Sequence, residues 1–153
     1  PAAIERLRGL IKTSDDPEYV GQLAALLKEA GVASEAAALR TQAITRYTAL
    51  LARYPLAYAA HAARFYLGIG DDPKKAVSLA EQNVKNTPTE PAMTLAIEAN
   101  LAAKQTARAC ELASEITKRP HATPRSKVLA ARAFSSCGQK ANADAILQSL
   151  ASK

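Results

Sequence analysis

Large rigid side chains are scarce in this sequence. It has no Trp, two Phe and five Tyr, so aromatics are 5% of its 153 residues. β-Sheets draw on aromatic and β-branched residues, and their shortage argues against an all-β fold. Cysteine and histidine number two each, and His61 and His121 stand far apart, which leaves a zinc site without a ligand set. No stretch of about eighteen apolar residues runs free of charge, and Glu5, Arg6 and Arg8 interrupt the start where an export signal needs an apolar run. Neither a membrane span nor an intact export signal is expected. The chain opens on Pro1 rather than Met, and is expected to be a processed product or a piece of a longer protein.

Alanine fills the space those residues leave, with 35 copies. It is the strongest helix former and the smallest side chain with a Cβ, so its excess favours helices packed at close range. With hydrophobic residues at 48%, the length suits one domain or a short repeat array. The formal net charge of +6 is unevenly spread. Between Glu115 and Asp144 there is no acid, while Lys118, Arg119, Arg125, Lys127, Arg132 and Lys140 all fall there. A second acid-free stretch, between Glu35 and Asp71, holds Arg40, Arg46, Arg53 and Arg64. Such stretches suit acidic peptides, nucleic acid or anionic lipid, and equally a solvated helix face.

Gly31, Gly70, Lys104 and Gly138 each close an Ala-rich helical pattern, and the last two intervals are both 34 residues. Ala36, Ala76, Ala109 and Ala143 follow five or six residues later, each opening another helical pattern. Pro17, Pro55, Pro91 and Pro124 mark helix first turns, where a missing N–H costs nothing. These signals predict nine helices, at about 2–13, 17–30, 34–53, 56–68, 73–86, 91–103, 106–118, 125–137 and 140–150. Asp16-Pro17, Asp72-Pro73 and Thr123-Pro124 form N-cap pairs, and Gly31 and Gly138 suit the left-handed conformation that ends a helix. Short loops make successive helices antiparallel neighbours.

This pattern resembles the tetratricopeptide (TPR) repeat, whose 34-residue unit carries small residues, one aromatic, a glycine and a late proline at fixed places. One unit matches through Ala63, Tyr66, Gly70, Ala76 and Pro88, and the last through Ala131, Phe134, Gly138 and Ala143. The unit between them departs, with Ile97 at a small position, Asn100 at the aromatic one and Lys104 for glycine. The first full unit keeps Ala24, Gly31 and Ala36 but has a longer second helix. Leu67-Gly68-Ile69-Gly70-Asp71 is similar to a single Sel1-like phrase and ranks second. The resemblance implies an all-α fold, an α-α superhelix (a TPR-like solenoid) of about nine antiparallel helices in one domain. It would comprise the helix of a preceding repeat at 1–14 and repeats at 17–55, 56–90, 91–122 and 124–153.

Catalytic patterns are missing: no HExxH, GxSxG, GxGxxG or P-loop occurs. Asp15-Asp16 and Asp71-Asp72 both precede prolines, where capping explains them. His61 is expected to be a packing or surface residue, and no enzyme activity, metal or cofactor is expected. Cys110 and Cys137 fall at one end of neighbouring antiparallel helices, which allows a disulfide and equally two buried thiols. The compartment stays open with them: cytoplasmic, or periplasmic or otherwise extracytoplasmic if they are bridged.

The resemblance also implies a function, a non-catalytic protein–protein interaction module of bacterial type that binds a peptide or partner protein in a concave groove. Its groove positions, carried over singly, are Gly21, Ala25 and Lys28, then Ala60, Arg64 and Leu67, then Thr94, Glu98 and Leu101, then Val128, Arg132 and Ser135. Lys28, Arg64, Leu67, Thr94, Glu98, Leu101 and Arg132 are the candidate contacts, with Arg64 and Arg132 attracting acidic groups and Glu98 between them. These do not reproduce the Lys/Asn/Asn/Lys/Arg set that some members use to hold a carboxylate. A basic helical-repeat module for nucleic acid is the alternative, although the expected core takes up Tyr66 and Phe134, leaving few bases a platform.

Overall fold

A computed structural model of the protein describes residues 2–151. Among these there are nine α-helices and no strand. They are α1 (Ala2–Thr13), α2 (Pro17–Glu29), α3 (Ala33–Arg53), α4 (Pro55–Leu67), α5 (Pro73–Asn86), α6 (Glu90–Ala102), α7 (Thr106–Thr117), α8 (Pro124–Ser136) and α9 (Lys140–Ala151). Every boundary lies within one residue of the expected one, because local chemistry sets it. Asp16 Oδ1 accepts from the Glu18 amide at 2.8 Å, and Thr89 and Thr123 cap α6 and α8 in the same way. No helix among the described residues is long and apolar enough to cross a membrane. The chain divides into two compact units, Pro1–Asp72 and Pro73–Lys153, with the division in the Gly70–Pro73 turn, inside the expected 56–90 repeat.

In the first unit α1 packs on α2, α2 on α3, and α4 on both α3 and α2. The apolar stripe of α1 makes its docking face: Leu7 is buried with Leu23, Leu27 and Ala36, and Ile4, Leu10 and Ile11 pack around them. A second layer buries Val20, Ala24, Ala43, Tyr47, Ala59, Ala62, Ala63, Phe65 and Tyr66. Here α2 approaches α4 closely, because a Cβ on Gly21 would lie 2.9 Å from Phe65 Cδ2. An Arg40 guanidinium N–H donates to the Gly70 carbonyl at 2.6 Å and fastens the end of the unit to α3.

In the second unit each helix from α5 to α9 packs on the next, and α6 also meets α8. Ala76, Ala80, Ala96, Ala99, Ala109, Ala113, Ala130 and Ala133 have no exposed surface. Each buried methyl contributes little, on the order of 1 kcal/mol. Their number, and the close approach they permit, make the core.

Three turns share one construction. The N–H groups of Val32, Gln105 and Gln139 each reach five residues back, to the carbonyls of Leu27, Asn100 and Phe134, at 2.8–2.9 Å. This closure needs a left-handed residue, supplied by Gly31 (φ 80), Lys104 (φ 60) and Gly138 (φ 84). Gly70 differs: the positive φ of its turn falls on Asp71 (φ 49), consistent with the extra residue there. Lysine at position 104 sits in a conformation that costs a side chain about 1–2 kcal/mol, against about 0.5–1 kcal/mol of extra chain entropy for glycine. Lys104→Gly should therefore raise stability by about 0.5–1 kcal/mol. Gly138→Ala, with nothing within 4 Å of its new Cβ, should lower it by about 1 kcal/mol through the backbone alone. Urea unfolding of the two variants checks both signs.

Candidate functional site

Helical spacing aligns Glu18, Gly21, Gln22 and Ala25 along one face of α2, and His61, Arg64 and Phe65 along one face of α4. The two faces enclose a pocket of about 200 Å³, which Tyr47 of α3 and Ile69 complete. Three expected groove positions, Gly21, Ala25 and Arg64, thus line one pocket. Its floor is aromatic: Tyr47 and Phe65 are 2% and 7% exposed, with ring centroids 5.0 Å apart. Burial, then the charges of Glu18 and Asp16, pushes the Tyr47 phenol far above its ordinary range and keeps it neutral. At the rim, His61 Nδ1 lies 3.0 Å from Glu18 Oε2, joining α4 to α2. Arg64 is exposed and makes no ion pair among the described residues.

One further hollow, among Ala25, Lys28, Glu29, Gly68 and Ile69, shares Ala25 and Ile69 with this pocket and continues the trench at one end. A separate hollow among Asp15, Asp16, Pro17, Arg46, Leu50 and Tyr58 shares no lining residue with it. Lys28 therefore stands at the α2 C-terminal end of the trench, and Leu67 is half-buried on the last turn of α4. Sequence reasoning missed Glu18, Gln22, Tyr47, His61, Phe65 and Ile69. His61 and Phe65 flank Arg64 at helical spacing, a signal present in the sequence. Tyr47 had none, because the resemblance assigns groove contacts only to the first helix of each pair.

Ala60 is half-buried on α4 and does not line the pocket, and the remaining expected positions belong to the second unit. Thr94 Oγ1 donates to the Glu90 carbonyl at 2.8 Å, which uses its hydroxyl within α6. Glu98 lies 3.7 Å from Arg125, whose side chain is 85% exposed, a pair worth ~0–1 kcal/mol. Leu101 is half-buried, and Val128, Arg132 and Ser135 are exposed on α8. Of the basic stretch, Arg119 donates to the Pro88 carbonyl at 2.7 Å and Arg125 faces Glu98, so two of its six cations serve internal contacts.

Two polar clusters tie the second unit together. Asn100, fully buried on α6, donates to Glu81 Oε1 of α5 at 3.1 Å and to the Ala96 carbonyl at 2.8 Å. Arg108 of α7 grips both oxygens of Glu81, at 3.0 and 2.9 Å, and reaches Glu111 at 2.8 Å. At the other end, Glu90 of α6 accepts from the Thr123 amide at 2.9 Å, from its hydroxyl at 2.6 Å, and from the Ser126 hydroxyl, capping α8 from outside. Cys110 and Cys137 are joined by a disulfide between α7 and the C-cap of α8, with Cα atoms 6.4 Å apart and a sequence separation of 27. Closing a loop of that size lowers the entropy of the unfolded chain by about 3.5 kcal/mol equivalent.

These clusters set the response to acid. Burial raises the Glu81 pKa, but hydrogen bonds from Arg108 and Asn100 outweigh it and hold the carboxyl below its ordinary range. Hydrogen bonds from Ser126 and Thr123 do the same for Glu90. Both pKa values are depressed by folding, so this stabilisation is complete above the ordinary carboxylate range, ~4.3, and is lost as pH falls through the lowered values. Melting followed from about pH 6 to pH 3 should show the wild type losing stability steeply. Glu90→Gln should start lower at neutral pH and lose less over the same interval. No family model, no curated protein and no solved structure matches the chain.

Proposed function

We propose that the chain is a non-catalytic protein-interaction module, a TPR-like α-α superhelix that holds an extended peptide along the trench between α2 and α4. The observation that carries this reading is the pocket itself: two first-helix faces, brought together by small residues, with an aromatic floor and a charged rim. A preformed apolar recess with few polar groups suits recognition, since little has to be ordered on binding. Within the second unit, packing of α6 on α8 repeats the pairing of α2 with α4, and Glu98, Leu101 and Arg132 are that unit's own candidate contacts. The disulfide supports a working place where thiols stay oxidised, outside a reducing cytoplasm.

Selection of a random peptide library displayed on phage tests the reading. Enriched peptides, resynthesised, should bind the purified protein and shift the backbone resonances of Gly21, Ala25, Arg64 and Ile69. No enrichment, or shifts confined to other helices, would overturn it. The same protein titrated with single-stranded RNA should bind weakly at physiological salt. Tight binding there that falls steeply with added salt would favour a nucleic-acid module instead.

A further inference from the structure

We infer that the α2–α4 pocket receives one large apolar side chain of an extended peptide, and that Arg64 holds an acidic residue adjacent to it in that peptide. The inference rests on the peptide-binding reading above and names the chemistry of the peptide.

Volume limits the occupant first. At about 200 Å³ the pocket falls below the ~300–1,000 Å³ usual for small-molecule sites, and it has room for a single large side chain. Its floor of Tyr47 and Phe65, closed by Ile69, selects an aromatic or branched aliphatic group. On the α2 wall Gly21 is covered by the Phe65 ring and Glu18 and Gln22 stand taller, so the wall is lowest at Ala25, which carries nothing beyond Cβ and lets a peptide backbone lie close to the helix there. The adjoining hollow among Ala25, Lys28, Glu29, Gly68 and Ile69 extends the path toward the C-terminal end of α2, whose 13 residues span ~20 Å. That length matches roughly six residues of extended chain.

Charge then chooses the neighbour. Glu18, the carboxylate of the pocket rim, is engaged by His61 at 3.0 Å. Arg64 lines the same pocket, exposed and without an ion pair among the described residues. The one acid of α3 and α4 is Glu35, which pairs with Arg8 at 2.8 Å, so these helices supply no internal competitor for it. A carboxylate set beside the buried side chain would meet a guanidinium whose planar fork takes both oxygens. A lysine in its place would meet like charge.

Short labelled peptides with Gly-Ser flanks around a central Phe-Asp, Phe-Lys or Ala-Asp pair are the probes, with fluorescence anisotropy as the readout. The Phe-Asp probe should bind the wild type about tenfold tighter than either of the others. Arg64→Gln should remove the preference for Asp, and Arg64→Glu should reverse it in favour of Phe-Lys. Both changes fall at an exposed position, and unchanged melting verifies the fold. Ala25→Phe, which fills the pocket from the α2 wall, should abolish binding of both Phe probes. Equal binding of Phe-Asp and Phe-Lys to the wild type, or an order unmoved by Arg64→Glu, overturns the inference. If phage-selected peptides bind at these helices while the Phe-Asp probe does not, the inference falls and the peptide-binding reading stands. If nothing of either kind binds, both fall.

Discussion

Helices faced with alanine approach one another more closely than helices faced with leucine, and both units depend on that approach. Ala24, Ala59, Ala62 and Ala63 in the first unit, and Ala96, Ala109, Ala113 and Ala130 in the second, are wholly removed from solvent. Dense packing of small groups leaves no slack, so a single added methylene is felt. It also decides where large side chains go. Tyr47 and Phe65 gather beside the contact of α2 with α4, where Gly21 opens space, and their rings become the floor of the trench.

Where the alanine and aromatic pattern lapses, polar groups take over. The α6 helix has Ile97 and Asn100 where α4 has Ala63 and Tyr66 and α8 has Ala131 and Phe134, and Asn100 joins the cluster of Glu81 and Arg108 across α5, α6 and α7. A buried amide is tolerable because its N–H groups are used, while its Oδ1 has no hydrogen-bond partner among the described residues. Lys104 shows the same substitution of means. It takes the left-handed conformation of Gly31 and Gly138, and its turn closes with the same hydrogen bond.

The helices were legible in the sequence because their ends are written locally. Asp16, Thr123, the prolines that follow them, Gly31 and Gly138 act on neighbours within a few residues. Ile4, Leu7, Leu10 and Ile11 announced the docking face of α1 by helical period alone. The candidate site was legible in part. Gly21, Ala25 and Arg64 came from the repeat resemblance, whereas Tyr47 enters from α3, and only packing brings it under α2 and α4. The Glu81, Asn100 and Arg108 cluster was hidden for a similar reason: its members stand 19 and 27 residues apart, on three helices, without a shared local signal.

If close approach through alanine is what holds each unit, lengthening a contact alanine must hurt and lengthening a surface one must not. The direct measurement is urea unfolding of Ala63→Leu and Ala131→Leu, one buried contact position from each unit, beside Ala141→Leu at an exposed position of α9. Each buried variant should lose ~1–3 kcal/mol through overpacking, while Ala141→Leu should stay within about 0.5 kcal/mol of the parent. Parent-like stability in both buried variants would contradict the account.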